Sequence, residues 1–245
     1  MKCYGLLGKK LGHSFSKGYF TDKFQKEHIA DAVYNNYELA AISELSELIA
    51  SNPDLKGLNV TIPYKEEVIP FLHFKNDIVA DINACNCIKI NPSGELDGYN
   101  TDVIGFTNSL QPRLQSHHNH AIVLGTGGAS KAVQYALKKL NIDYKVASRS
   151  TKEGAIQYED LNDEVVATHK LIINTTPLGM FPDIDNMPFI KYDLVTDQHL
   201  LFDLVYNPPK TKFLLEGEKR GAQILNGYEM LVMQAEESWR IWNEL

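Results

Sequence analysis

An α/β fold in two domains is predicted by three features of this 245-residue chain. Short apolar strand-like runs alternate with segments of helical spacing along nearly its whole length. A glycine-rich turn sits in mid-chain between such a run and a helix. A complete smaller α/β unit precedes that turn.

The turn is the sharpest signal. Ala121-Ile122-Val123-Leu124 reads as a buried strand, Gly125-Thr126-Gly127-Gly128-Ala129-Ser130 as a tight turn, and the residues from Lys131 to Leu137 as a helix. Such a turn brings backbone N–H groups and a helix N-terminus against a pyrophosphate. Gly125 and Gly127 fill the first two positions of the dinucleotide fingerprint, Ser130 stands at the third, and Gly128 and Ala129 keep the helix start small. The following strand ends in Ser148-Arg149-Ser150 with Lys152 nearby, where an NAD site carries a carboxylate for the ribose 2′-hydroxyl. Arginine pairs with a 2′-phosphate in a planar fork, so the expected cofactor is NADP.

The remaining elements follow in order. Residues 4–7 read as a strand and 17–29 as a helix, with Tyr19, Phe20, Phe24 and His28 at helical spacing. Residues 34–39 form a strand, and 43–50 a helix opened by the Ser43 hydroxyl and closed before Asn52-Pro53. Residues 57–61 form a strand, and Pro63 opens a helix. Residues 84–90 and 95–99 pair as a hairpin about Asn91-Pro92-Ser93-Gly94, with Cys85 and Cys87 facing one side. Then come a helix over 102–110, the glycine-turn unit, strands at 170–174 and 199–205, and a last helix over about 228–242.

Composition narrows the function. The chain is 44% hydrophobic with net charge −7, which argues against a nucleic-acid partner. No uncharged stretch approaches the ~20 residues of a membrane helix, and no signal-peptide pattern opens the chain. Three cysteines, Cys3, Cys85 and Cys87, suit a reducing cytoplasm. The stretch Ser116-His117-His118-Asn119-His120 reads as a polar loop, and no metal is expected.

Motifs outside the turn carry a resemblance. Gly12-His13-Ser14-Phe15-Ser16, Gly57-Leu58-Asn59-Val60-Thr61-Ile62-Pro63-Tyr64-Lys65, Asn86, and Gly98-Tyr99-Asn100-Thr101-Asp102 fall in order. Asn174-Thr175-Thr176-Pro177-Leu178-Gly179-Met180, Asp203-Leu204-Val205-Tyr206-Asn207-Pro208 and Gly227-Tyr228-Glu229-Met230-Leu231-Val232-Met233-Gln234 follow. Taken together they resemble the shikimate dehydrogenase family over nearly the whole chain. The resemblance implies a substrate domain of residues 1–101, rejoined by the helix over 227–245, and a Rossmann-type NADP domain of residues 102–226. It also implies a cleft between them.

It further implies reversible NADPH reduction of 3-dehydroshikimate to shikimate. Lys65 and Asp102 would be catalytic, and Ser14, Ser16, Asn59, Thr61, Asn86, Tyr206 and Gln234 would hold substrate. Gly125, Thr126, Gly127, Gly128, Ala129, Ser148, Arg149, Ser150 and Thr175 would hold the cofactor, with Asp77, Leu204 and Gly227 toward its nicotinamide. A quinate-preferring or NAD-using relative, and a nucleotide-binding regulator without turnover, are the alternative readings. A small-molecule substrate is expected as partner, in a monomer or homodimer. The chain departs from the family pattern at Lys17, Phe20-Thr21 and Glu153, where the family carries proline, His-Asn and a second arginine.

Overall fold

The structure is a computed structural model that describes residues 1–12 and 15–244. The chain divides into two compact units, one of residues 1–104 with 234–245 and one of residues 105–233. Both divisions fall inside continuous helices.

The N-terminal unit contains β1 (Lys2–Gly8), α1 (Phe15–Lys26), β2 (Ala32–Glu38), α2 (Leu45–Ala50), β3 (Leu55–Val60) and α3 (Tyr64–Glu67). It continues through β4 (Phe74–Lys75), α4 (Asp77–Ile82), β5 (Cys87–Ile90), β6 (Leu96–Tyr99) and the start of α5 (Thr101–Leu110). Its sheet has the order β2-β1-β3-β5-β6-β4. β1 pairs in parallel with both β2 and β3, while β5 runs antiparallel to β3 and β6.

One core cluster packs Leu7, Leu58, Tyr64 and Cys85. A second packs Tyr4, Phe20, Tyr34, Cys87 and Trp242, the last from the C-terminal end of the chain. Cys85 and Cys87 thus enter different clusters rather than one face. The strand begins only at Cys87, so alternation does not extend back to Cys85.

Two further expectations are corrected. The helix expected to 29 ends at Lys26, because His28 adopts the left-handed conformation at φ 57 and Ile29 N–H turns back to Phe24 O at 2.9 Å. Ser43 does not cap a helix. It lies in a 3-10 turn, and α2 starts after Glu44 with no side-chain cap. The Glu44 carboxylate instead accepts from Ala40 N–H at 3.3 Å.

The C-terminal unit carries β7 (His120–Leu124), α6 (Gly128–Lys139), β8 (Asp143–Ser148), β9 (Ala155–Gln157), α7 (Asp163–Thr168) and β10 (Leu171–Asn174). β11 (Leu200–Asp203), α8 (Lys212–Glu218), β12 (Gln223–Leu225) and the start of α9 (Tyr228–Glu244) complete it. All six strands are parallel in the order β12-β11-β10-β7-β8-β9. This is the doubly wound Rossmann order, with β7 and β10 at its centre. β10 and β11 are buried throughout, as parallel strands covered on both faces require. Residues 149–154 alone link β8 to β9, with no crossover helix between them.

Gly57 tests the packing of the N-terminal unit. A Cβ there would lie 2.3 Å from the Trp242 ring, whose Nε1–H donates to Ile88 O at 2.9 Å. Gly57→Ala is therefore expected to lower unfolding stability by about 1–3 kcal/mol through overpacking, measured by denaturant titration.

Candidate active site and nucleotide pocket

In the N-terminal unit, α3 and α5 each place a charged side chain in the first turn. Lys65 follows Tyr64 at the start of α3, and its carbonyl accepts from Cys85 N–H at 2.8 Å. Asp102 is the second residue of α5, where a carboxylate meets the positive end of the helix. Lys65 Nζ donates to Asp102 Oδ2 at 2.7 Å. The lysine side chain is 21% exposed and the aspartate 9%, so the pair opens to solvent mainly from the lysine side.

Asp102 is held by the amides around it. Asn86 Oδ1 accepts from Thr101 N–H at 2.6 Å, and Asn100 Oδ1 from Val103 N–H at 3.2 Å. Both bonds satisfy N–H groups that the first turn of a helix leaves open. Asn100 Nδ2 donates to Ala84 O at 2.9 Å, tying the start of α5 to the segment before β5.

A hydrogen-bond network runs on from there. Asn86 Nδ2 donates to Thr101 Oγ1 at 3.1 Å and to Gln234 Oε1 at 3.4 Å. Asn59 Nδ2 donates to Ser238 Oγ at 2.8 Å and to Asn86 O at 3.4 Å. Ser238 Oγ lies 3.3 Å from Thr101 Oγ1. The amide hydrogens of both asparagines are therefore committed inside the protein. Asn59 Oδ1 keeps a lone pair, and Gln234 Nε2 keeps its donors among the described residues.

Ser16 lies in the first turn of α1. Thr61 follows β3 directly, its N–H bonded to Leu7 O at 2.9 Å. Ser14 lies outside the described residues. The structure thus gathers Asn59, Asn86 and Gln234 around the segment that holds the Lys65–Asp102 pair. It adds Tyr34, Thr101 and Ser238, which residue type alone does not single out. Ser238 carried a signal, since it follows Gln234 by four residues, one turn on the same helix face. Asp77 is exposed in the first turn of α4, capped by Asn76.

The glycine turn forms a second site, inside the C-terminal unit. A pocket of about 310 Å³ is lined by Gly125, Thr126, Gly127, Ser148, Arg149, Ser150, Lys152, Tyr158, Thr175, Thr176 and Pro177. Gly125 takes φ +110, and a Cβ there would meet Thr175 Oγ1 at 2.8 Å. At Gly127 and Gly128 a Cβ would meet nothing within 4 Å, so the mouth of the turn is open above the start of α6. Gly128 and Ala129 are the first two residues of that helix and do not line the pocket. Ser130, at the third fingerprint position, is buried and donates to Gly125 O at 2.8 Å, closing the turn.

Among the described residues no ion pair or side-chain hydrogen bond occupies Arg149 or Lys152. The buried Tyr158 hydroxyl in the same pocket also lacks a partner. Open backbone donors, a helix N-terminus and two unpaired cations fit an anionic dinucleotide. The histidine stretch does not gather a metal site. His117 and His118 stack edge-on, both rings reach Gln198 O, and no metal-holding cluster occurs among the described residues.

Asp203, at the end of β11, braces the loop beside this pocket. It accepts from Asn174 Nδ2 at 2.9 Å, Val205 N–H at 3.0 Å and the Thr211 hydroxyl. Asn174 Oδ1 in turn accepts from Thr176 N–H at 3.0 Å. Burial pushes the Asp203 carboxyl up to about 6, against the pull of its three donors. Leu204 and Gly227 lie back to back, since a Cβ on Gly227 would fall 2.1 Å from Leu204 O. Tyr206 is half-buried, which pushes its phenol up.

An α/β protein with a Rossmann unit, a nucleotide-ready glycine turn and a separate lysine–carboxylate site belongs to the class of dinucleotide-dependent enzymes. Comparison with known proteins narrows the class. Residues 6–88 match the family model "Shikimate dehydrogenase substrate binding domain". The chain is 36% identical over 262 residues to the shikimate dehydrogenase (NADP(+)) of Caldicellulosiruptor bescii, covering 100% of this chain and 90% of that protein. The crystal structure of a chorismate mutase/shikimate 5-dehydrogenase fusion protein from Clostridium acetobutylicum superposes with TM-score 0.88 at 35% identity, covering 100% of this chain and 92% of that one. A shikimate 5-dehydrogenase from Thermus thermophilus in complex with NADP(H) and shikimate gives TM-score 0.88 at 26% identity, covering 100% and 94%. The chain belongs to the shikimate dehydrogenase family.

The buried Asp203 has a consequence for stability. Its folded-state pKa lies above the unfolded value of 3.8, so between about pH 4 and 6 the folded protein holds more protons. The stability Asp203 contributes is fully present below that window and falls as pH rises through it. The stability difference between wild type and Asp203→Asn is expected to shift against wild type from pH 4 to 6 and to level off above, read from denaturant midpoints.

Proposed function

We propose that this chain is an NADP-dependent shikimate dehydrogenase that reversibly reduces 3-dehydroshikimate to shikimate in aromatic amino-acid biosynthesis. The 2.7 Å Lys65–Asp102 pair beside a buried amide network carries the reading. In this reading the N-terminal unit takes the substrate and the C-terminal unit the dinucleotide. A cytoplasmic location fits the three free cysteines.

The chemistry needs two transfers. The nicotinamide, when bound, supplies or accepts the hydride. The protein must move the proton of the reacting hydroxyl, and Lys65 Nζ takes it in oxidation and returns it in reduction. Asp102 orients the Nζ group and balances its charge when it is protonated. Asn86 and Thr101 keep Asp102 at its station by fixing the start of α5.

Substrate binding draws on what the network leaves open. Gln234 Nε2 donates to ring hydroxyls, and Asn59 Oδ1 accepts from one. Ser16, with Ser14, meets the carboxylate, and Thr61 adds its hydroxyl. On the nucleotide side, Gly125, Thr126 and Gly127 cradle the pyrophosphate against the N-terminus of α6. Arg149, flanked by Ser148 and Ser150, pairs with the adenosine 2′-phosphate, and Lys152 adds charge.

Following nicotinamide absorbance with shikimate or quinate and NADP⁺ or NAD⁺ tests the reading. Strong turnover is expected for shikimate with NADP⁺, and its absence in a protein that binds NADP⁺ would refute the assignment. Lys65→Ala is expected to lower kcat by about 10³-fold while shikimate Kd by calorimetry stays within a few-fold. Arg149→Ala is expected to raise the Kd for NADP⁺ by about tenfold or more and leave that for NAD⁺ nearly unchanged, measured by fluorescence titration.

A further inference from the structure

Tyr34, on β2, stands outside the roles assigned above, and its phenol bonds one of the groups placed on substrate, Asn59. The ring is 2% exposed and stacks on Phe20 with centroids 4.5 Å apart and planes 13° apart. Its hydroxyl donates to Asn59 Oδ1 at 2.9 Å. The phenol has one proton, and that proton is spent on Asn59.

This arrangement determines what Asn59 can show a ligand. With Oδ1 receiving the phenol proton, the Asn59 amide turns Nδ2 toward Ser238 and Asn86 O, and Oδ1 keeps a second lone pair to accept from a ligand. Burial holds the phenol well above its ordinary pKa, so it stays a donor throughout the working range.

We propose that Tyr34 is a positioning residue of the polyol-carboxylate site, setting through one buried hydroxyl the orientation of Asn59 near the end of β3. The proposal rests on the shikimate reading above and deepens it. In that reading Asn59 accepts from a ring hydroxyl and takes no part in moving the reacting proton. The hydroxyl therefore contributes to binding in ground and transition states alike.

Tyr34→Phe removes the hydroxyl and keeps the ring stack. For the full chain, KM for shikimate and its calorimetric Kd are expected to rise about five- to tenfold, the range of one neutral hydrogen bond. The kcat is expected to stay within twofold, and the Kd for NADP⁺ to be unchanged. Phe20→Leu disturbs the stack and spares the hydroxyl. It is expected to lower Tm and leave shikimate KM alone. In the Tyr34→Phe/Asn59→Ala double variant the KM increase is expected to fall short of the product of the single effects.

An unchanged shikimate KM in Tyr34→Phe overturns the proposal. So does a fall in kcat at constant KM, which reports fewer folded molecules, or an equal KM rise in Phe20→Leu, which reports packing. A wild-type protein that neither binds nor oxidises shikimate overturns the functional reading, and the positioning role with it.

Discussion

The N-terminal unit turns on the bond from Thr101 N–H to Asn86 Oδ1, 2.6 Å long and buried. It fastens the first turn of α5 to the segment between α4 and β5. Asp102 is the next residue, so this bond sets its backbone and Lys65 holds its carboxylate. The same asparagine reaches Gln234, which α9 brings from the far end of the sequence. One amide thereby ties together segments from the middle and the end of the chain. Leaving such a buried group unpaired costs about 1–3 kcal/mol, so the arrangement is held as well as formed.

The two units solve the same problem of holding polar groups inside apolar surroundings in different ways. The N-terminal unit commits amide hydrogens to neighbouring carbonyls and hydroxyls and leaves a few donors and acceptors facing outward. The C-terminal unit uses backbone. Its glycine turn shows unspent N–H groups, and Ser130 closes the turn from beneath. Asp203 braces the adjoining loop through Asn174 and Thr211 although burial opposes its charge. Arg149 and Lys152 ride on residues 149–154, the short link that replaces a crossover helix between β8 and β9. That link is long enough to return the chain for parallel pairing and short enough to keep both cations beside the turn.

Much of this architecture is legible in the amino-acid sequence. The glycine turn, its flanking strand and helix, the parallel strands at β7, β10 and β11, and the hairpin about residues 91–94 follow from local spacing and turn chemistry. The short strands β4, β9 and β12 do not stand out, because two or three residues set no period and their pairing comes from neighbours. Cys85 and Cys87 depart from their expected common face for a related reason. Period-two alternation holds only inside a strand, and the strand starts at Cys87. His28 ends α1 by taking a left-handed conformation that residue preferences disfavour.

The sequence by itself determined which chemical groups are available: a lysine, an aspartate, amides and hydroxyls in a recognisable order, and an arginine where a carboxylate would select a different cofactor. Tertiary structure decided which of their hydrogens and lone pairs are still free. Asn59 and Asn86 look alike as letters. Yet their amide hydrogens are spent internally, while Gln234, 148 residues from Asn86, keeps its own. Tyr34 and Ser238 became part of the site only because β2 and α9 pack against the same sheet residues. Hydrogen-bond capacity is a property of residue type, but its use depends on distances between segments that no local pattern encodes.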